Sequence, residues 1–175
     1  HLMQATTNNL LIGCDIGTSS TKSILVDTHG CISAASRCDY PMYRPQPGWA
    51  ENNPDDWVNA VMTCILDLLD KPGIDPTTVK GMSFVAQRDP LVFLYKDQCV
   101  LGPSISWTDM RDINETHKLY DLFGRTALTN TTGLAPIPGV GLPIVSWIQK
   151  HRPHIWNNTH YTIKCIYLFN KMTFT

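Results

Sequence analysis

The strongest constraint on the fold is a polar turn, Asp15-Ile16-Gly17-Thr18-Ser19-Ser20-Thr21-Lys22, between two short β-branched runs, Leu10 to Cys14 and Thr21 to Asp27. A Walker-type loop needs G-x-x-x-x-G-K-[ST]; Lys22-Ser23 fits its end, but Ile16 and Thr21 occupy both glycine positions. The G-x-G-x-x-G fingerprint fails as well, and both motifs lead into a helix, whereas this turn leads into a strand. A third run, Cys31 to Arg37, follows the His29-Gly30 turn, so the chain opens as a β-meander. The turn suits phosphate chemistry. A carboxylate at a strand tip can hold hydrated magnesium, Gly17 lets backbone N–H groups approach phosphate oxygens, and Thr18, Ser19 and Ser20 add hydroxyl donors. The alternative is an ordinary polar hairpin.

Beyond the meander, a Pro-rich connector runs from Pro41 to Trp49 and ends in Asn53-Pro54-Asp55-Asp56. Asn caps, Pro takes the first helical position, and two acids face the positive end of the dipole. Trp57, Val61, Cys64 or Ile65, and Leu68 recur at helical spacing until Lys71-Pro72-Gly73. A second β-region starts at Val79, continues through Leu91 to Tyr95, and resumes at Cys99 to Leu101. A polar helix is expected over Asp109 to Phe123, a Gly- and Pro-rich loop over Gly133 to Pro143, a helix over Val145 to Lys150 and a strand over His160 to Ile163. Strands and helices alternate, which indicates an α/β domain.

The 175 residues include 14 basic and 15 acidic side chains, a net charge of −1, with no cationic cluster for nucleic acid. Hydrophobic residues, at 43%, suffice for a substantial core, while the 17% charged fraction leaves surface for a partner or a further domain to cover. The six cysteines form no C-x-x-C pair and read as buried reduced thiols. No apolar stretch approaches the roughly 18 residues of a membrane span, and a cytoplasmic location is expected. His1-Leu2-Met3 reads as a tag remnant, with the domain spanning residues 4–175.

Gln87-Arg88-Asp89 ends an alternating apolar strand with consecutive hydrogen-bonding side chains, and Pro90 then breaks the ladder. Such a cluster can recognise hydroxyls through directional donors and acceptors. Trp107 and Asp109 follow another β-run and place an aromatic face beside a carboxylate. A solvated Arg88–Asp89 pair and a core-filling Trp107 are the alternatives. Trp49, Trp57 and Trp147 are expected to pack, and His117, His151, His154 and His160 show no partnered acid at recognisable spacing.

Taken in order, these motifs resemble the FGGY carbohydrate kinases. Asp15-Ile16-Gly17-Thr18-Ser19-Ser20 resembles that family's first phosphate motif, and Pro47-Gly48-Trp49-Ala50-Glu51-Asn52-Asn53-Pro54 with Trp57 resembles its P-x-G-W-x-E-x-x-P-x-x-W segment. Gln87-Arg88-Asp89 and Ser106-Trp107-Thr108-Asp109-Met110-Arg111 resemble its two sugar-side segments, and Pro138-Gly139 to Trp147 its following helix entry. The resemblance implies a ribonuclease-H-like, actin-like ATPase domain with a mixed sheet and flanking helices, incomplete at the C-terminus. It implies ATP and Mg2+ as cofactors, held at Asp15, Gly17, Thr18, Ser19 and Ser20, with Asp15 as the metal ligand. It places Gln87, Arg88, Asp89, Trp107 and Asp109 on the substrate. That substrate is a ketose or pentulose such as xylulose, or else a polyol, since Gln87-Arg88-Asp89 is closer to the Q-R-E of glycerol kinases. The family's catalytic aspartate and adenine pocket lie further along, so no residue here is assigned as the base and no turnover is expected from this chain alone. Two departures stand out: Ile144 replaces a customary Lys, and the 165–174 tail carries Ile166 and Phe174 where the family has an acid and a glycine. A non-catalytic half-kinase associating through its bare cleft face, with itself or a partner, is the rival expectation.

Overall fold

The computed structural model describes residues 9–164. In chain order the elements are β1 (Leu10–Ile16), β2 (Ser20–Asp27), β3 (Ile32–Asp39), β4 (Glu51–Asn52), α1 (Pro54–Leu69), β5 (Val79–Ala86) and β6 (Leu91–Leu94). They continue with β7 (Ser104–Ile105), α2 (Ile113–Phe123), α3 (Arg125–Thr132), α4 (Leu142–His151), α5 (Pro153–Asn158) and β8 (Tyr161–Lys164). The chain divides into two compact units, one of residues up to Tyr40 with Asp55–Ala86, the other of Pro41–Pro54 with the residues from Gln87 onward.

The first unit is a four-stranded mixed sheet in the order β3-β2-β1-β5, antiparallel throughout the meander and parallel between β1 and β5. Period-two alternation puts Leu10, Ile12, Cys14, Ile16 and Leu25 on the buried face. The apolar stripe of α1 (Trp57, Val61, Cys64, Ile65 and Leu68) is buried too, and Cys64 Sγ lies 3.7 Å from the Thr21 carbonyl oxygen of β2. Asp55 and Asp56 occupy the first turn of α1, as its dipole favours. At the β2–β3 turn Gly30 takes φ 86°, and Asp27 Oδ1 accepts from the N–H groups of His29 and Cys31 at 2.8 and 2.9 Å.

The second unit holds an antiparallel sheet, β4-β7-β6-β8, whose strand β6 is buried along its whole length. Its core joins Leu91, Phe93 and Ile105 from the strands to Ile144, Trp147, Ile148 and Ile155 from α4 and α5. Trp49 meets Trp147 edge-to-face at 5.4 Å, so the tryptophans expected to pack do so.

Several sequence expectations are corrected. The helix expected from Asp109 begins only at Ile113, because Asp109 and Asp112 are occupied in side-chain bonding. The expected strand at Cys99 reduces to one isolated bridge, Leu94 to Val100. Helix α4 begins three residues earlier than expected, at Leu142, with Pro143 in its first turn where no N–H is missed. Cysteines were expected to be buried; Cys14 and Cys64 are, and burial raises both thiols above their ordinary pKa, but Cys31 and Cys99 are exposed. The tail from Cys165 lies outside the described residues. Among them, no helix is long and apolar enough to cross a membrane.

Candidate functional site

In the first unit the expected phosphate turn joins β1 directly to β2, with no helix between. The register sets Ile16 opposite Thr21 and Asp15 opposite Lys22, so a carboxylate and an ammonium stand side by side on the uncovered face of the sheet. They border a hollow of about 300 Å3 with Gly13, Ile24, Ser83 and Val85. The turn is tight. Gly17 N–H donates to the Ser20 carbonyl at 2.9 Å, and a Cβ on Gly17 would lie 3.2 Å from that oxygen. Tyr40 closes it from outside, its hydroxyl donating to the Gly17 carbonyl at 2.6 Å and its N–H to the Ser19 carbonyl at 3.0 Å. The expected roles within the turn therefore divide. Gly17 shapes the bend and commits its own N–H to it, Ser20 is buried, Ser19 is exposed and Thr18 half-buried. Among the described residues no three His, Cys, Asp or Glu side chains cluster as a metal site, so Asp15 would serve as a single carboxylate. That number suits magnesium, which retains several waters and takes its remaining oxygens from phosphate.

In the second unit the Pro47–Glu51 segment lies against Ser104–Met110. Ser106 N–H donates to the Ala50 carbonyl and Met110 N–H to that of Gly48, both at 2.9 Å. This clamp builds a charge cluster on Arg111. The guanidinium, only 3% exposed, bonds Asp109 through two nitrogens at 2.9 and 2.8 Å and reaches Glu51 Oε1 at 2.7 Å. Its Cζ lies 3.7 Å from the centroid of the Trp49 ring. Asp109, expected on the substrate, is 0% exposed, with both oxygens engaged by Arg111 and Oδ2 also accepting from Ala50 N–H at 2.5 Å. Its geometry is that of an internal anchor. Sequence reasoning missed Arg111 and Glu51 as a functional pair because they lie far apart in the chain and meet only through the β4–β7 pairing.

Trp107 is 47% exposed and is not a core filler. Its main chain is pinned by Gly139. At φ 77°, a Cβ on Gly139 would fall 2.6 Å from the Trp107 carbonyl oxygen, so only glycine fits. Asp112, fully buried, accepts Gly139 N–H at 2.9 and 3.1 Å on its two oxygens. Burial raises the Asp112 carboxyl to about 6, with the nearby Asp109 and Glu115 charges adding to the shift and the Gly139 N–H opposing it.

Gln87-Arg88-Asp89 follows β5 as irregular chain. Arg88 and Asp89 make no ion pair with each other, and both amide atoms of Gln87 are buried with no hydrogen-bond partner among the described residues. Ile144 is 0% exposed within the core, so the residue standing where a Lys was expected contributes packing. His151, expected to lack an acid, lies 3.6 Å from Glu115 and stacks on Trp147. That pairing comes from the packing of α2 on α4, which no local spacing reveals.

Comparison with known proteins agrees with this architecture. The family model for the FGGY family of carbohydrate kinases, N-terminal domain, matches residues 10–174. The chain belongs to that family. It is 31% identical over 149 residues to a xylulose kinase of Bacillus subtilis (strain 168), an alignment covering 85% of this chain and 30% of that enzyme. Its structure resembles a xylulose kinase from Rhodospirillum rubrum with a TM-score of 0.86 at 25% identity, over 93% of this chain and 33% of the other. A xyloylose kinase from Brucella ovis gives 0.84 at 27% identity, over 91% and 33%. The chain thus spans about a third of the length of these relatives. The fold is that of the actin-like ATPases, with the mixed sheet and flanking helices expected from the sequence.

Proposed function

We propose that this chain is the amino-terminal, sugar-binding part of an ATP-dependent carbohydrate kinase acting on a pentulose such as xylulose in the cytoplasm. The observation that carries the reading is the run Gln87-Arg88-Asp89. A buried amide without a partner costs about 1–3 kcal/mol, a cost that ligand hydroxyls remove, and among the described residues the adjacent guanidinium and carboxylate are in no ion pair. Arg88 donates to sugar oxygens, Asp89 accepts from hydroxyls, and Trp107 offers an apolar ring to the C–H face of the sugar. Asp109 acts one step removed, by fixing Arg111 and the segment that carries Trp107.

The Asp15 turn is assigned to the nucleotide's phosphate end. Asp15 would hold a hydrated Mg2+, with Lys22 balancing its charge and the Ser19 and Thr18 hydroxyls donating to phosphate oxygens. When bound, magnesium-ATP supplies the γ-phosphoryl group and neutralises charge developing on it. This chain's residues orient the acceptor hydroxyl, and none is assigned as the base that takes its proton.

Calorimetric titration of the chain tests the reading. Xylulose should bind more tightly than glycerol, and Arg88→Ala should weaken xylulose about tenfold or more, the effect of losing charge-assisted hydrogen bonds. Failure of both xylulose and glycerol to bind, or an unchanged affinity in Arg88→Ala, overturns it.

A further inference from the structure

Within the second unit, a cavity of about 290 Å3 opens between the Trp49 and Trp147 rings and the start of α5. It is near the lower bound of small-molecule sites, about 300–1,000 Å3. Two guanidinium groups reach it, and they differ. Arg111 is fully compensated by Asp109 and Glu51. Arg152 has no carboxylate within ion-pair distance and no side-chain hydrogen bond among the described residues, although it is half-buried. Among the described residues its charge is met by ring faces, with Cζ 5.9 Å from the Trp49 centroid and 5.8 Å from that of Trp147.

The root of Arg152 is fixed. Its N–H closes α4 on the Ile148 carbonyl at 2.8 Å, and its carbonyl accepts the Ile155 and Trp156 N–H groups that open α5 at 2.9 and 3.0 Å. A guanidinium so held presents a pre-organised fork of donors, which matches a planar carboxylate in bidentate geometry. Leu101, Ile105, Ile148 and Ile155 form an apolar wall, and the polar side chains of Gln46 and His154 also border the cavity. Glu51 also borders the cavity, its charge already paired with Arg111, and its presence disfavours a dianion such as phosphate. We propose that this cavity binds a small organic monocarboxylate, with its apolar body against Ile105, Ile148 and Ile155 and its carboxylate on Arg152.

The test uses phenylacetate as probe, with phenylacetamide and inorganic phosphate as comparisons, followed by calorimetry and by the indole N–H resonances of the 15N-labelled chain. Phenylacetate should bind saturably and move the Trp49 and Trp147 signals. Phenylacetamide, of the same shape without the charge, should bind about tenfold or more weakly, and Arg152→Gln should lose phenylacetate by a similar factor with an unchanged melting temperature. Equal binding of acid and amide, tighter binding of phosphate, undiminished binding in a folded Arg152→Gln, or no saturation by phenylacetate each overturns the proposal. Should Arg152→Gln fail to fold, the acid-against-amide comparison on the unaltered chain decides the matter alone.

Discussion

At the scale of single residues, two buried carboxylates next to each other in space have opposite fates. Asp109 receives two guanidinium nitrogens and two backbone N–H groups, those of Ala50 and Arg111, whereas Asp112 receives the Gly139 N–H and no cation. The consequence for Asp112 is a folded-state pKa raised from 3.8 to about 6. Between those values the native state holds a proton that the unfolded chain has released, so stability falls as pH rises through the window and levels off above about 6. The charge penalty at neutral pH is about 1–3 kcal/mol. Asp112→Asn keeps an acceptor for Gly139 N–H and removes the charge. Urea titrations should find it more stable than the parent by about that amount at pH 7.5, the two converging below pH 4; an Asn variant no more stable at pH 7.5 refutes the account. Arg111 predicts the reverse. Arg111→Met leaves Asp109 buried and unpaired, at a cost of about 3–5 kcal/mol in the same assay, and Arg111→Lys recovers only part because an ammonium cannot span both carboxylates. Neither role was legible from sequence. Asp109 reads as a substrate-side carboxylate beside Trp107, and its engagement by Arg111 and Ala50 N–H, like that of Asp112 by Gly139 N–H, depends on contacts that no local spacing shows.

At the scale of elements, glycines of similar backbone geometry make different demands. Gly133 ends α3 at φ 76° with nothing near an added Cβ, so Gly133→Ala should cost about 1 kcal/mol, the price of the left-handed conformation alone. Gly139 has nearly the same φ but faces backbone atoms of Trp107 and Asp109 within 3 Å. Gly139→Ala should therefore cost roughly 2–4 kcal/mol in thermal or chemical denaturation and displace Trp107, lowering sugar affinity; equal effects of the two substitutions would show that the Gly139 contact is soft. What the sequence revealed at this scale follows burial. Strands β1 and β2 alternate because one face is covered, and α1 carries a full apolar stripe under a Pro-and-acid start. Helix α3 buries no side chain, so its residues Arg125–Thr132 show no period to detect. Helix α5 has six residues, and β4 and β7 have two each, too few for any periodicity to rise above chance.

At the scale of the whole molecule, the low charged fraction finds its counterpart in the sheet of the first unit. Leu11, Ile24 and Val85 lie on its uncovered face, with Val85 62% exposed, and β5 stands at the edge with a neighbour, β1, on one side only among the described residues. An exposed edge carrying apolar side chains is a template for pairing with another strand or sheet face. Folding does not require that this surface be covered, because the buried face of the sheet and α1 already form a core. Association and stability should consequently separate. Sedimentation velocity of the chain over a hundredfold concentration range should show reversible self-association, and Val85→Lys, which places a charge on the edge strand where no packing is lost, should shift it toward monomer without lowering the melting temperature. A chain that stays monomeric throughout would mean that Lys22 and Asp15, set among those apolar side chains, keep the face hydrated enough to repel a second copy, and the rival reading of a self-associating half-kinase would then fail while the sugar-binding assignment stood.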